Sequence, residues 1–165
     1  DPVTGEFTVD VPAGRSYAMH VVSPGFLPHS ERVSGHAAQG DVRMDVDLAT
    51  SDPGNKEVMR NILFGSGETD LAPGSTTDLD QLVAFLSANS TLRLEIDGHT
   101  DGDICPIPNQ VLSDRRAQVV LDYLVAHGIS RDRLVAKGYG SSQPLHPNDT
   151  PEHKALNRRT EIKVL

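Results

Sequence analysis

Two residues of opposite charge carry the most chemistry in this chain. Asp101 follows an apolar run, Leu92, Leu94 and Ile96, that alternates as a strand does. Arg116 stands at the head of an amphipathic stretch in which Ala117, Val120, Leu121 and Leu124 recur at i, i+3, i+4 and i+7. A carboxylate on a loop and a guanidinium in the first turn of a helix suit a ligand carrying both an ammonium and a carboxylate. The free N–H groups of a helix start reinforce the guanidinium toward an anion. The spacing alone equally permits a salt bridge between the two within the protein. On a wheel of about 100° per residue, Arg116 falls at the edge of the buried face and Arg115 on the wet side.

Other reactive groups fit less well. His99, Asp101 and Asp103 suggest a metal, but a calcium loop counted from Asp97 or Asp101 places Pro108 or Leu112 where a bidentate acid belongs. Only Cys105 lies near enough to join His99 on zinc. No metal and no cofactor are expected, and His99 reads as a hydrogen-bonding brace. A Cys105–His nucleophile lacks a recognisable oxyanion loop or third member, so no catalytic residue is assigned and the protein reads as a binder rather than an enzyme. Asn157-Arg158-Arg159 precedes the last strand. Asn157 and one arginine suit the task of holding the Gly138–Asp149 loop, whose prolines leave it short of donors.

The elements that position these groups follow from periodicity. Phe7, Val9 and Val11, then Tyr17, Met19 and Val21, then Val42, Met44, Val46 and Leu48 alternate, so residues 1–49 read as a small all-β segment. Residues 50–58 read as a linker, and 59–165 as a second unit. In it Arg60–Phe64 reads as a strand, and Ser75, Thr76 or Thr77 as the cap of a helix bearing Leu79, Leu82, Val83 and Leu86. A strand over Leu92–Ile96 and the Asp101 loop follow, then the second helix. Gly128-Ile129 has the form of a left-handed helix stop. A strand over Arg133–Tyr139, a short helix opened by Thr150-Pro151 and a strand over Thr160–Val164 complete an α+β layering with helices on one face of the sheet.

Composition narrows the function. The net charge is −8. Residues 1–50 hold 7 acids and 3 bases and residues 51–165 hold 16 and 12, so neither part offers the basic face that nucleic acid requires. No apolar run is long enough to cross a membrane as a helix, so no membrane insertion is expected. No signal peptide is evident, which reads as a mature or excised piece. The single Cys105 cannot form an internal disulfide and leaves the compartment open.

The spaced motifs over residues 59–165 resemble one family. Gly98-His99-Thr100-Asp101, Asn109, Leu112-Ser113 and Arg116-Ala117 are followed by Tyr123-Leu124, Gly128-Ile129, Arg133, Gly138-Tyr139-Gly140, Pro144 and Asn157-Arg158-Arg159-Thr160-Glu161. Together they resemble the OmpA-like C-terminal domain that binds peptidoglycan. The resemblance implies a βαβαβ mixed sheet and non-covalent binding of the stem peptide at meso-diaminopimelate. Such a domain anchors an outer-membrane protein to the wall from the periplasm, through regions absent from this chain. It implies that Asp101 and Arg116 grip the ligand's amino-acid end, with Asn109, Thr100, Gly102 and Ser66 beside them. His99, Ser113, Asn157 and Arg158 are expected as structural support. Two departures stand out. Phe64-Gly65-Ser66-Gly67 replaces a run that often begins Phe-Asp, and Gly102–Pro108 is atypical and carries an extra acid, Asp103. These leave an alternative, a structural or protein-interaction module with a degenerate pocket. Residues 1–49 more weakly resemble the later half of a carboxypeptidase-regulatory-like, or prealbumin-like, sandwich through Thr4-Gly5-Glu6-Phe7, Pro12-Ala13-Gly14, Tyr17 and Pro24-Gly25-Phe26.

Overall fold

The computed structural model describes residues 5–34, 43–65, 67–103 and 107–165. Six strands form one mixed sheet: β1 (Ser16–Val21), β2 (His29–Ser34), β3 (Lys56–Met59), β4 (Leu94–Gly98), β5 (Leu134–Gly138) and β6 (Thr160–Val164). Their order across the sheet is β1-β2-β3-β6-β4-β5. The strand β6 lies antiparallel to both β3 and β4, while β4 and β5 are parallel. The parallel pair needs a crossover. It is supplied by α2 (Asn109–Ala126), which packs on β4 and β5. Two further helices, α1 (Ser75–Ala88) and α3 (Pro151–Asn157), fill the other connections.

Period-two alternation divides the sheet's faces. Leu94, Ile96, Ile162 and Val164 are buried with Leu79, Leu82 and Leu86 of α1 and Ala117, Val120, Leu121 and Leu124 of α2. The intervening Glu95, Asp97, Glu161 and Lys163 belong to the opposite, polar face. The helix ends follow local chemistry. Gly128 (φ +94°) ends α2, with its N–H on the Val125 carbonyl and that of Ile129 on Leu124, both at 3.0 Å. The Thr150 hydroxyl accepts the His153 N–H at 3.1 Å, and Pro151 opens α3. At α1 the cap differs from expectation. Gly74 occupies that position, and the Ser75 hydroxyl bonds the Leu63 backbone instead.

Three expected elements shift. The strand β3 begins within the stretch read as a linker and ends before Arg60–Phe64, where Asn61 and Ile62 are buried in a turn. Residues 5–15 and 43–49 lie outside the strands, with Phe7 and Val9 about two-thirds exposed, because alternation marks a strand only where a neighbour pairs with it. The hairpin β1–β2 instead joins the main sheet through Ser30 and Met59. Finally, α2 starts at Asn109, with Pro108 before it, so Arg116 stands two turns inside the helix rather than in its first turn.

Two glycines set how closely α2 approaches the sheet. A β-carbon on Gly98 would stand 2.4 Å from the Ser113 carbonyl oxygen, and one on Gly138 would stand 2.3 Å from the Asp114 nitrogen. Gly98→Ala is therefore expected to cost at least the about 1–3 kcal/mol typical of overpacking. Urea unfolding should show it as a lower midpoint with an unchanged slope.

Candidate functional site

The second turn of α2 organises one end of the sheet. Ser113 Oγ donates to the Gln110 carbonyl at 2.8 Å and accepts the Gly140 N–H at 2.9 Å. Asp114 Oδ1 accepts the Gly138 N–H at 2.7 Å, and Gln110 donates to the Gly138 carbonyl at 2.7 Å. The β4 exit is tied to the same turn, because Thr100 N–H reaches Gly140 O at 2.8 Å and Tyr139 N–H reaches Gly98 O at 2.9 Å. Through these contacts the loop bearing Asp101 and the helix bearing Arg116 share one scaffold.

Arg116 is buried while Arg115 is exposed, as the helical wheel requires. Its guanidinium donates from Nε to the Glu68 carbonyl at 2.9 Å and from Nη2 to the Gly65 carbonyl at 2.8 Å. It also lies 5.1 Å from the centre of the Phe64 ring. The loop after β3 is thus held to α2 through its main chain.

Asp101 is also buried, and its carboxylate has a different cation from the one the spacing suggested. Arg158 Nη1 donates to Asp101 Oδ2 at 2.5 Å, and the Asp103 N–H donates to Oδ1 at 3.1 Å. No ion pair joins Asp101 to Arg116 among the described residues. Burial pushes the Asp101 carboxyl up, but the Arg158 bond, the Asp103 N–H and the Arg158 charge outweigh it and hold it below its ordinary value. Asp103 in turn receives Lys154 Nζ at 2.7 and 3.0 Å.

The remaining expected site residues divide between loop and scaffold. Asn109 opens α2 and donates to the Asp103 carbonyl at 3.2 Å. Thr100 is buried, and its hydroxyl lacks a partner among the described residues. Gly102 takes φ +88° against Ser141, a left-handed conformation that favours glycine. Ser66 and Cys105 lie outside the described residues. Asn157 holds the 138–149 loop, accepting the Leu145 and His146 N–H groups and donating to His146 O and Asn148 Oδ1. The arginine that shares this task is Arg159, at 3.1 Å from Gln143 O, whereas Arg158 turns to Asp101. His99 does not brace by side-chain hydrogen bonds. Neither ring nitrogen has a hydrogen-bond partner among the described residues, and the ring stacks on Tyr139 at 5.2 Å.

Sequence reasoning missed the Arg158–Asp101 and Lys154–Asp103 pairs. Their only signal was the spacing of Lys154 and Arg158, four apart at the end of a short helix, which places both on one side of it.

Residues 63–158 match the model of the OmpA family, and the chain belongs to that family. It is 35% identical over 140 residues to the peptidoglycan-binding protein ArfA of Mycobacterium tuberculosis, covering 85% of this chain and 40% of that protein. The chain therefore spans well under half the length of that relative. Among solved structures, a putative MotB-like protein from Desulfovibrio vulgaris superposes with a TM-score of 0.57 at 33% identity, over 62% of this chain and 69% of that one. The cell wall anchor of the T6SS from Pseudomonas aeruginosa gives 0.57 at 29% identity, over 62% and 74%. The family match begins at residue 63, and the carboxypeptidase-regulatory-like resemblance of residues 1–49 gains no support.

Arg158→Ala should raise the Asp101 carboxyl toward the ordinary aspartate value, read by carboxyl-carbon NMR titration, with Arg158→Lys intermediate. A depressed carboxyl stabilises the fold above its ordinary value of about 3.9, and that contribution is lost as pH falls through the lower folded value. The wild type should therefore resist acid further than Arg158→Ala.

Proposed function

We propose that this chain binds peptidoglycan non-covalently, through the diaminopimelate-type residue of the stem peptide, and tethers an outer-membrane-associated protein to the wall from the periplasmic side. The observation that carries this reading is the buried, ionised carboxylate of Asp101 at the β4 exit. It is built onto the same turn of α2 that precedes Arg116. Family membership and the name of the mycobacterial relative support the polymer as partner. A zwitterionic amino-acid end would place its ammonium on Asp101 and its carboxylate on the guanidinium. Arg158 would remain on Asp101, because a carboxylate accepts about four hydrogen bonds. Since Arg116 lies inside the helix, the guanidinium rather than the helix start supplies the positive charge. Asn109 and the backbone of Thr100–Gly102 would orient the ligand.

A second reading, an interaction module with a degenerate pocket, draws on one observation. The charges of Asp101 and Arg116 already have partners within the protein, from Arg158 and from the carbonyls of the 65–68 loop. That reading requires wild-type protein to bind neither sacculi nor stem peptide.

Co-sedimentation with purified sacculi separates the two. Asp101→Ala and Arg116→Ala should each lose about 2–5 kcal/mol of binding, the cost of removing one member of a desolvated charged contact. Arg116→Lys should be intermediate, because it keeps the charge without the planar fork. Thermal unfolding of each variant separates lost binding from lost fold. Unchanged pull-down by folded Asp101→Ala and Arg116→Ala would remove the assignment.

A further inference from the structure

The polar face of the sheet holds a cluster that the proposed binding does not use. Asp97 and Glu161 face each other across β4 and β6, and His99 follows two residues later on the same side. One donor atom from each of the three lies within 4.8 Å of the others, and all three residues are buried. Asp97 is fully buried and His99 is 1% exposed. Asp97 Oδ1 and both His99 ring nitrogens lack hydrogen-bond partners among the described residues. Such polar atoms, a carboxylate oxygen and the donor and acceptor of a neutral imidazole, are costly to bury with nothing to meet them.

The geometry suits a small ion. His99 Nε2 and Glu161 Oε1 are 3.8 Å apart. A tetrahedral ion with bonds of about 2.0–2.2 Å holds its ligand atoms roughly 3.4 Å apart, so a modest closure completes the set. One imidazole and two carboxylates favour a transition metal over calcium or magnesium, which prefer all-oxygen shells. A supporting donor is already present, since Arg159 Nε bonds Glu161 Oε1 at 2.6 Å. The position is also cation-seeking: Lys56 Nζ reaches Asp97 Oδ2 and Glu161 Oε2, each at 3.3 Å. That lysine is over a third exposed at its side chain, on a flexible stem that can swing into water.

We propose that Asp97, His99 and Glu161 form a binding site for one divalent transition-metal ion, which enters by displacing the Lys56 ammonium. The site stands apart from the peptide-binding reading and survives its failure.

Cobalt(II) chloride is the probe, titrated into the whole chain and followed by visible d–d absorption and by paramagnetic broadening of backbone amides. The expected result is one equivalent bound, with broadening centred on Asp97, His99 and Glu161. Lys56→Met should tighten binding by about tenfold, because the competing ammonium is gone. His99→Gln should abolish the absorption band. If that variant does not fold, the location of broadening in the wild type decides. Broadening centred on the His146–His153 stack overturns the proposal. So does binding seen only in Lys56→Met, or no binding in either protein.

Discussion

The structure depends on how close one turn of a helix can come to two strand ends. Ser113 and Asp114 press against Gly98 and Gly138 where no β-carbon fits, and their side chains then bond the Gly140 and Gly138 amides. Main-chain donors at the end of β5 that would otherwise be left without partners are satisfied there by the helix. Everything the candidate site uses radiates from that contact. One turn on along α2 is Arg116, and three residues on along the β4 exit is Asp101. A helix displaced outward by one methyl group would lose both the amide bonds and the alignment of loop with arginine.

Two aspartates four residues apart show how the same side chain is driven in opposite directions. Asp97 is enclosed beneath the polar face beside Glu95, and burial and that neighbouring charge push its carboxyl up to about 6 despite Lys56. Asp101 is also removed from water, yet Arg158 and the Asp103 amide keep it charged. The difference lies in donors. Asp101 has a guanidinium and a backbone N–H on separate oxygens, whereas Asp97 Oδ1 has no partner among the described residues. A carboxylate that stays ionised while buried is suited to meeting a cation from outside, since its charge costs nothing further to create.

Much of the sheet and both long helices were legible because burial repeats with the period of the element. The four apolar residues of α2 are fully buried, and β6 coincides with its alternating run. What was not legible depended on pairing rather than pattern. Phe7, Val9 and Val11 alternate as well as any strand in the chain, yet no ladder forms there, since alternation describes a face and not a neighbour. The start of α2 was misplaced because Asn109–Leu112 carries little of the apolar repeat. The residue types of the candidate site were chosen from sequence, but their partners within the protein were not legible there. Arg158 meets Asp101 across 57 positions, and Arg116 bonds carbonyls of a loop 48 and 51 positions away. Backbone acceptors leave no mark on sequence, so nothing in Gly65-Ser66-Gly67-Glu68 announces that an arginine will hold it.

That last grip has an evolutionary corollary. The hydrogen bonds by which Arg116 fastens the segment go to carbonyl oxygens, which every amino acid carries, so this part of its hold does not depend on which side chains the segment presents. Side chains along this rim that leave its backbone path unchanged can therefore vary while the guanidinium stays seated. Phe64, whose ring meets the guanidinium, and Gly67, at φ +71°, are the positions of this segment where residue type still matters to the attachment.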